Sequence, residues 1–233
     1  MRTRTILAGC ALAAAAAALP AQTLAPPQNV LQLQASGTVE VQQDLLQMNL
    51  TTTREGTDPN AVQTQLKGAL DTALAEAKKT AQAGQLDVRT GNVALYPRHN
   101  REGRISGWNG TAELILEGRD FARITQAAGR IQTMTLGGIS FGLSREQRSR
   151  VEGEAQTLAI DRFKAKAAEL ARGFGFSGYT LREVAVNANE PGFTPRLRMA
   201  AQDARASSAE AAVPVEPGKS TVQVTVSGSV QLR

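Results

Sequence analysis

Val222-Gln223-Val224-Thr225-Val226-Ser227-Gly228-Ser229-Val230-Gln231-Leu232 closes the chain with strict alternation of apolar and polar or glycine positions. Period-two alternation sets every second side chain on one face of a strand, and β-branched valine suits that pleated surface. A strand this regular must pair inside a sheet, because its apolar face has nowhere else to be buried. It follows a Pro/Ala-rich stretch, 190–218, that contains Pro191, Pro195, Pro214 and Pro217. That stretch cannot bury enough apolar surface to offset its ordering entropy, so it reads as a mobile loop. The last strand must therefore return across the loop to a sheet laid down earlier.

The earlier elements follow from the same kind of pattern. Leu33, Ala35, Val39 and Val41 share parity, and Leu46, Met48, Leu50 and Thr52 alternate after the polar break at Gln42 to Asp44, which predicts two strands joined as a hairpin. Asp58-Pro59 opens a helix, with aspartate as N-cap and proline at the first helical position. Its apolar face is Val62, Leu66, Ala69, Leu70, Ala73, Leu74, Ala77 and Ala81, and Gly84 is expected to stop it. Leu86 to Tyr96 reads as a strand whose parity shifts near Gly91 and which Pro97 ends. Ile105 to Glu117 is the next strand, with Trp108, Ala112, Leu114 and Leu116 in step. Asp120 caps a shorter helix through Phe121, Ile124, Ala127, Ala128 and Ile131. Gly137-Gly138 breaks the pattern before Ile139, Phe141 and Leu143 alternate. Ser144 caps the longest helix, with Gln147 placed for a capping box. Its stripe is Val151, Ala155, Leu158, Ala159, Phe163, Ala167, Leu170, Ala171 and Phe174, and Tyr179 to Ala188 is a further strand.

The order is ββαββαβαββ. Strand pairs interrupted by helices favour an α+β fold, with mostly antiparallel sheet packed by two or three helices. The expected organisation is a signal peptide at 1–21, a flexible leader at 22–32 and a single domain at 33–233. Within that domain, 190–218 is the mobile loop.

The start of the chain speaks to compartment. Arg2 and Arg4 precede an uncharged, alanine-rich run from Ile6 to Leu19. A bilayer span needs roughly 20 apolar residues, so this shorter run is expected to be a secretory signal peptide cleaved after Ala21. Leu7-Ala8-Gly9-Cys10 has the look of a lipobox, but too few apolar residues precede Cys10, so lipid anchoring there is not expected. Cleavage lowers Lys plus Arg from 26 to 24 against 21 acids, so the net charge falls from +5 to +3. It also removes Cys10, the only cysteine, and with it any disulfide or thiolate chemistry. No later segment is apolar enough to cross a membrane. The expected address is periplasmic.

Chemical motifs are sparse. His99 is the only histidine, set between Arg98 and Arg101, and reads as a solvated loop residue rather than a metal ligand or general base. Gly107-Trp108-Asn109-Gly110 and Gly173-Phe174-Gly175-Phe176 lack the spacing of phosphate loops; Trp108 reads as core or interface. Glu152 and Glu154 point to different sides of their helix and do not form a facing carboxylate pair. No serine lies in a nucleophile elbow. Three arginine groups stand out: Arg98, Arg101 and Arg104; Arg145, Arg148 and Arg150; Arg196, Arg198 and Arg205. With few aromatic residues for base stacking and a net charge of only +3 after cleavage, they do not point to nucleic acid. Weak attraction to an anionic envelope surface is the softer expectation. The residues therefore nominate no catalytic, cofactor-binding or metal site, and no cofactor.

Four strings in this order resemble the SIMPL-domain family. Ala35-Ser36-Gly37-Thr38-Val39-Glu40-Val41 with Asp44 is similar to the family's opening strand and its aspartate, although Gln42-Gln43 stands where a proline commonly precedes it. Val88 to Pro97 resembles the strand ending in proline, and Ile105-Ser106-Gly107-Trp108 the start of the next. Gly138-Ile139-Ser140-Phe141, followed by Ala155, Ala159, Arg162, Ala165, Lys166, Ala167, Leu170 and Ala171, is similar to the glycine-rich strand and alanine-rich long helix. The resemblance implies an α+β domain in exported bacterial proteins, some of them labelled oxidative-stress-defence or immunogenic periplasmic proteins. One branch forms ring-like oligomers. It implies no established reaction. The expectation is a non-enzymatic envelope protein that acts by homo-oligomeric assembly or partner binding, in stress protection. The alternatives are an envelope-polymer hydrolase, which needs convergent ionisable groups in a deep pocket, and a small-ligand or lipid-binding module, which needs an apolar pocket.

Overall fold

The computed structural model describes residues 28–189 and 214–233. The stretch read as signal peptide, and residues 190–213 of the expected loop, lie outside the described residues. The elements are β1 (Val30–Gln42), β2 (Leu45–Gly56), α1 (Pro59–Lys78), β3 (Asp87–His99), β4 (Ile105–Gly118), α2 (Phe121–Arg130), β5 (Thr135–Gly142), α3 (Arg145–Gly173), β6 (Tyr179–Asn189) and β7 (Lys219–Leu232). This is the expected order, and the pairing within both sheets is antiparallel. The fold is α+β.

β7 does return into a sheet, and it takes the central place in the order β1-β7-β6. Val222, Val224, Val226 and Val230 are fully buried under α3. Each buried valine contributes roughly 1.5–3 kcal/mol, so the terminal ladder anchors this sheet. The buried residues of α3 are Val151, Ala155, Ala159, Phe163, Ala167 and Ala171, spaced by four throughout. A four-residue step overshoots one helical turn by about 40°, so the stripe winds round the helix and follows the twist of the sheet beneath. Leu158 and Phe174, expected on the stripe, fall off it and are exposed at 39% and 61%. Small residues let the backbones approach: a Cβ on Gly37 of β1 would sit 2.0 Å from the Ala155 carbonyl oxygen.

The second sheet has the order β3-β4-β2-β5. Leu46, Met48 and Leu50 of β2 and Leu114 and Leu116 of β4 face α1 and α2 and form its core with Ala73, Ala77, Ile124 and Ala127. The caps are as expected. Asp58 accepts from the Asn60 N–H, Asp120 from the Arg123 N–H and Ser144 Oγ from the Gln147 N–H.

Several expectations are corrected. β1 and β2 are not a hairpin: β1 pairs with β7 and β2 with β4 and β5, so the chain changes sheets at Gln43-Asp44. β1 begins at Val30, inside the stretch read as a flexible leader. α1 ends at Lys78, and Gly84, at φ +71°, instead shapes the turn before β3. Pro97 does not end its strand, because β3 is an edge and an edge proline sacrifices no ladder donor. Gly137-Gly138 lies within β5, which passes them with a bulge opposite Asn49/Leu50. Residues 214–218, read as part of the mobile loop, carry Val215 onto the second sheet's core and Gly218, whose carbonyl accepts from the Gln43 N–H at 3.0 Å.

The sheets thus form two lobes with separate cores. At their junction the Asp44 carboxylate accepts from the Ser144 N–H at 2.7 Å and from Ser144 Oγ at 2.6 Å, while the Asp44 N–H donates to the Gly142 carbonyl. Half of the expected capping box exists. The other half is replaced: Asp44, not Gln147, satisfies the Ser144 N–H, so the sheet switch and the start of the longest helix are tied together.

Candidate functional site

The two edges of the β1-β7-β6 sheet differ. Arg162 Nη1 donates to the Ser36 carbonyl at 2.7 Å and Lys166 Nζ to the Gln34 carbonyl at 3.3 Å. These α3 side chains occupy outward carbonyls of β1, and charged side chains over an edge are a standard protection against unwanted pairing. β6 has no comparable cover: among the described residues, no backbone or side-chain group bonds the outward edge of its central stretch.

One face of β6 is also left open. Leu181, Val184 and Val186 pair with Val230, Gly228 and Val226, so they lie on the α3 side of the sheet. The helix docks mainly over β1 and β7; at the start of β6, Tyr179 Oη donates to the Lys164 carbonyl at 3.3 Å. Leu181, Val184 and Val186 are consequently 54%, 44% and 45% exposed. A register shift at Leu181/Glu183 leaves Arg182 as a bulge, with its guanidinium on Gln231 at 3.1 Å. Gly228 makes room for it, since a Cβ there would meet the Glu183 carbonyl at 2.2 Å. The bulge blunts the first part of the edge; Glu183 to Asn189 runs on without another.

A concave surface lies on the other lobe, between α1 and edge strand β3. Its volume is about 360 Å³, and its lining is Gln63, Leu66, Lys67 and Leu70 of α1, Val93, Ala94 and Leu95 of β3 and Ala112 of β4. Lys67 Nζ bonds Asp71 at 2.8 Å, which raises its pKa above the ordinary value.

The residues singled out from the sequence are not brought together. His99 is the exposed last residue of β3, in a strand rather than in the loop. Trp108 packs on the Val62, Leu66 and Ala112 cluster. Arg98 pairs with Glu55, Arg104 with Glu102 and Arg150 with Glu154, so these members of the arginine groups face carboxylates. Arg196, Arg198 and Arg205 lie outside the described residues. Among the described residues no three His, Cys, Asp or Glu side chains gather as a metal set, and no helix is long and apolar enough to cross a membrane. Sequence reading missed the β6 row, although Leu181, Val184 and Val186 are visible in it. What it lacked was the position of α3, which a local pattern does not carry.

The model of the SIMPL family, described as "Protein of unknown function (DUF541)", matches residues 31–230. The chain belongs to the SIMPL family. The match runs from β1 into β7, so the SIMPL domain comprises both lobes. Asp44 and the alanine-rich α3, two of the features that carried the resemblance, meet in the SIMPL chain at the lobe junction. A search of curated proteins found no match. Among solved structures, the crystal structure of AtUAH in complex with glyoxylate aligns at 13% identity and a TM-score of 0.24, over 57% of this chain and 33% of that one. The alignment thus spans about a third of that protein, and a likeness at this level carries no argument.

Proposed function

We propose that this SIMPL chain is exported to the bacterial envelope and acts there without catalysis, by assembling with further copies of itself through β6 in stress protection. The observation that carries the reading is the asymmetry of one sheet: Arg162 and Lys166 cap two outward carbonyls of β1, while among the described residues nothing bonds the outward backbone groups of central β6, beside a half-exposed apolar row. Antiparallel pairing of two β6 strands about a two-fold axis would join two three-stranded sheets into one and bring the two apolar rows side by side. Since the bulge at Arg182 limits the regular stretch to Glu183–Asn189, the axis falls at Val186, the middle of that stretch. Val184 of one copy then stands opposite Ala188 of the other. Export is supported by Arg2, Arg4, the uncharged run from Ile6 to Leu19 and the small residue Ala21. The role in stress protection rests on the family resemblance.

Light scattering on the purified chain tests the assembly. The expected result is a multimer that Val186→Lys reduces to single chains, since it places two ammonium groups at the axis, and that Val186→Ile preserves. A wild-type mass of one chain at all concentrations overturns the reading.

A further inference from the structure

We propose that the valley between α1 and β3 is a binding site for a straight-chain aliphatic carboxylate. Its chain would lie on Leu66, Leu70, Val93, Leu95 and Ala112, and its carboxylate at Lys67 and Gln63. The valley has a structural cause. Val93 and Leu95 pair with Ala112 and Gly110, which places all four on the helix-facing side of the sheet. α1 lies mainly over β4 and β2, so β3 projects beyond it and Val93, on the apolar face, stays 52% exposed. Leu66 and Leu95 close over Gly110, where a Cβ would stand 2.5 Å from Leu66 Cδ1 and 3.1 Å from Leu95 Cδ1. The floor is Ala112, which adds only a methyl. Large walls over a small floor leave a furrow.

The lining chemistry selects the occupant. Aliphatic walls give water few partners, and water is stable in a cavity only where it finds two to four. At about 30 Å³ per water, the 360 Å³ furrow holds the equivalent of about a dozen water-sized units, room enough for a medium-length alkyl chain. The single charged residue in the lining is Lys67, whose ammonium pairs with Asp71 and keeps two of its three donors for an acceptor head such as a carboxylate. Gln63, one helical turn before Lys67, also lines the furrow. A peptide strand added at the edge of β3 is a poorer match, because the bulge at Gly91-Asn92 and the missing N–H of Pro97 interrupt that edge. The site lies on the lobe that does not carry β6, so it is independent of assembly there.

The chain contains one tryptophan, and Trp108 packs on the cluster that shares Leu66, Ala112 and Leu95 with the furrow. Its emission therefore senses occupancy through those shared neighbours. Titration with decanoate, below its micelle concentration, is expected to give a saturable change. Across hexanoate, octanoate and decanoate each added methylene should tighten Kd by about fourfold, the equivalent of ~0.8 kcal/mol, and the gain should level off once the furrow is full. Val93→Glu, at an exposed position, should weaken decanoate at least about tenfold by adding a carboxylate beside an apolar chain. Lys67→Ala, a surface change that leaves folding untouched, should weaken decanoate but not decanol. Emission that does not saturate, affinity independent of chain length, or equal loss of decanoate and decanol in Lys67→Ala would overturn the proposal. So would emission that changes with protein concentration alone, which would give the furrow to a second copy.

Discussion

Two glycine-to-alanine changes should move stability in opposite directions, one in β1 and one in the helix packed on it. A Cβ at Gly37 would lie 2.0 Å from the Ala155 carbonyl oxygen and 2.7 Å from the Ala159 nitrogen, whereas ordinary contact begins at 3.4 Å. Both obstacles are backbone, so no side chain can rotate aside. α3 must retreat by about 1.4 Å, the gap between 2.0 and 3.4 Å. That loosens Ala155, Ala159 and Phe163 from Val224 and Val226, which share one core. Overpacking costs about 1–3 kcal/mol, occasionally more, and a clash against helical backbone belongs at the upper end. Gly37→Ala should therefore cost about 3 kcal/mol. At about 2–4 °C per kcal/mol for a chain of this size, the melting temperature should fall by about 6–12 °C. At Gly153, in α3, an added Cβ would meet nothing within 4 Å, so Gly153→Ala should instead stabilise by up to about 1 kcal/mol through helix propensity. Urea unfolding followed by helical circular dichroism reads both. If Gly37→Ala lies within about 0.5 kcal/mol of wild type, the close approach of α3 to β1 is refuted.

The junction and the caps yield two further expectations. Asp44→Ala leaves the buried Ser144 N–H and hydroxyl without their acceptor, a loss of about 1–3 kcal/mol in urea unfolding; Ser144→Ala should cost about 1 kcal/mol as a lost cap. Asp120 is held below its ordinary pKa of 3.8, chiefly by the Arg123 backbone N–H bond and then by the Arg123 side chain. Its folded-state value is the lower one, so the contribution is complete above 3.8 and lost as pH falls below it. Asp120→Asn keeps a capping oxygen that does not titrate, so the stability gap between wild type and variant should change as pH drops through that range, and melting curves at stepped pH would show it.

Sequence legibility divided along local and non-local lines. Asp58-Pro59, Asp120 and Ser144 act on backbone groups two or three residues away, so their caps could be read directly. The alternation of β7 and the parity shift at Gly91 are likewise local; the shift is the bulge between Thr90 and Val93. The false hairpin has the opposite cause. Gln42 to Asp44 is a polar break of the length a turn would have, but Gln43 and Asp44 bond Gly218, Gly142 and Ser144, partners far away in the chain. Pro97 and Gly137-Gly138 misled for a related reason, since the first is tolerated because β3 is an edge and the second because β5 takes it up in a bulge. The β6 row escaped because its exposure depends on where α3 comes to rest. The small floor at Ala112 escaped because it matters only beside Leu66 and Leu95.

Hydrogen exchange measured strand by strand at two protein concentrations tests assembly through β6 most directly. Pairing through that edge predicts that the outward amides of Glu183–Asn189 slow as concentration rises, while those of β1, beneath Arg162 and Lys166, keep one rate throughout. Fast exchange in β6 that is identical at both concentrations would contradict it.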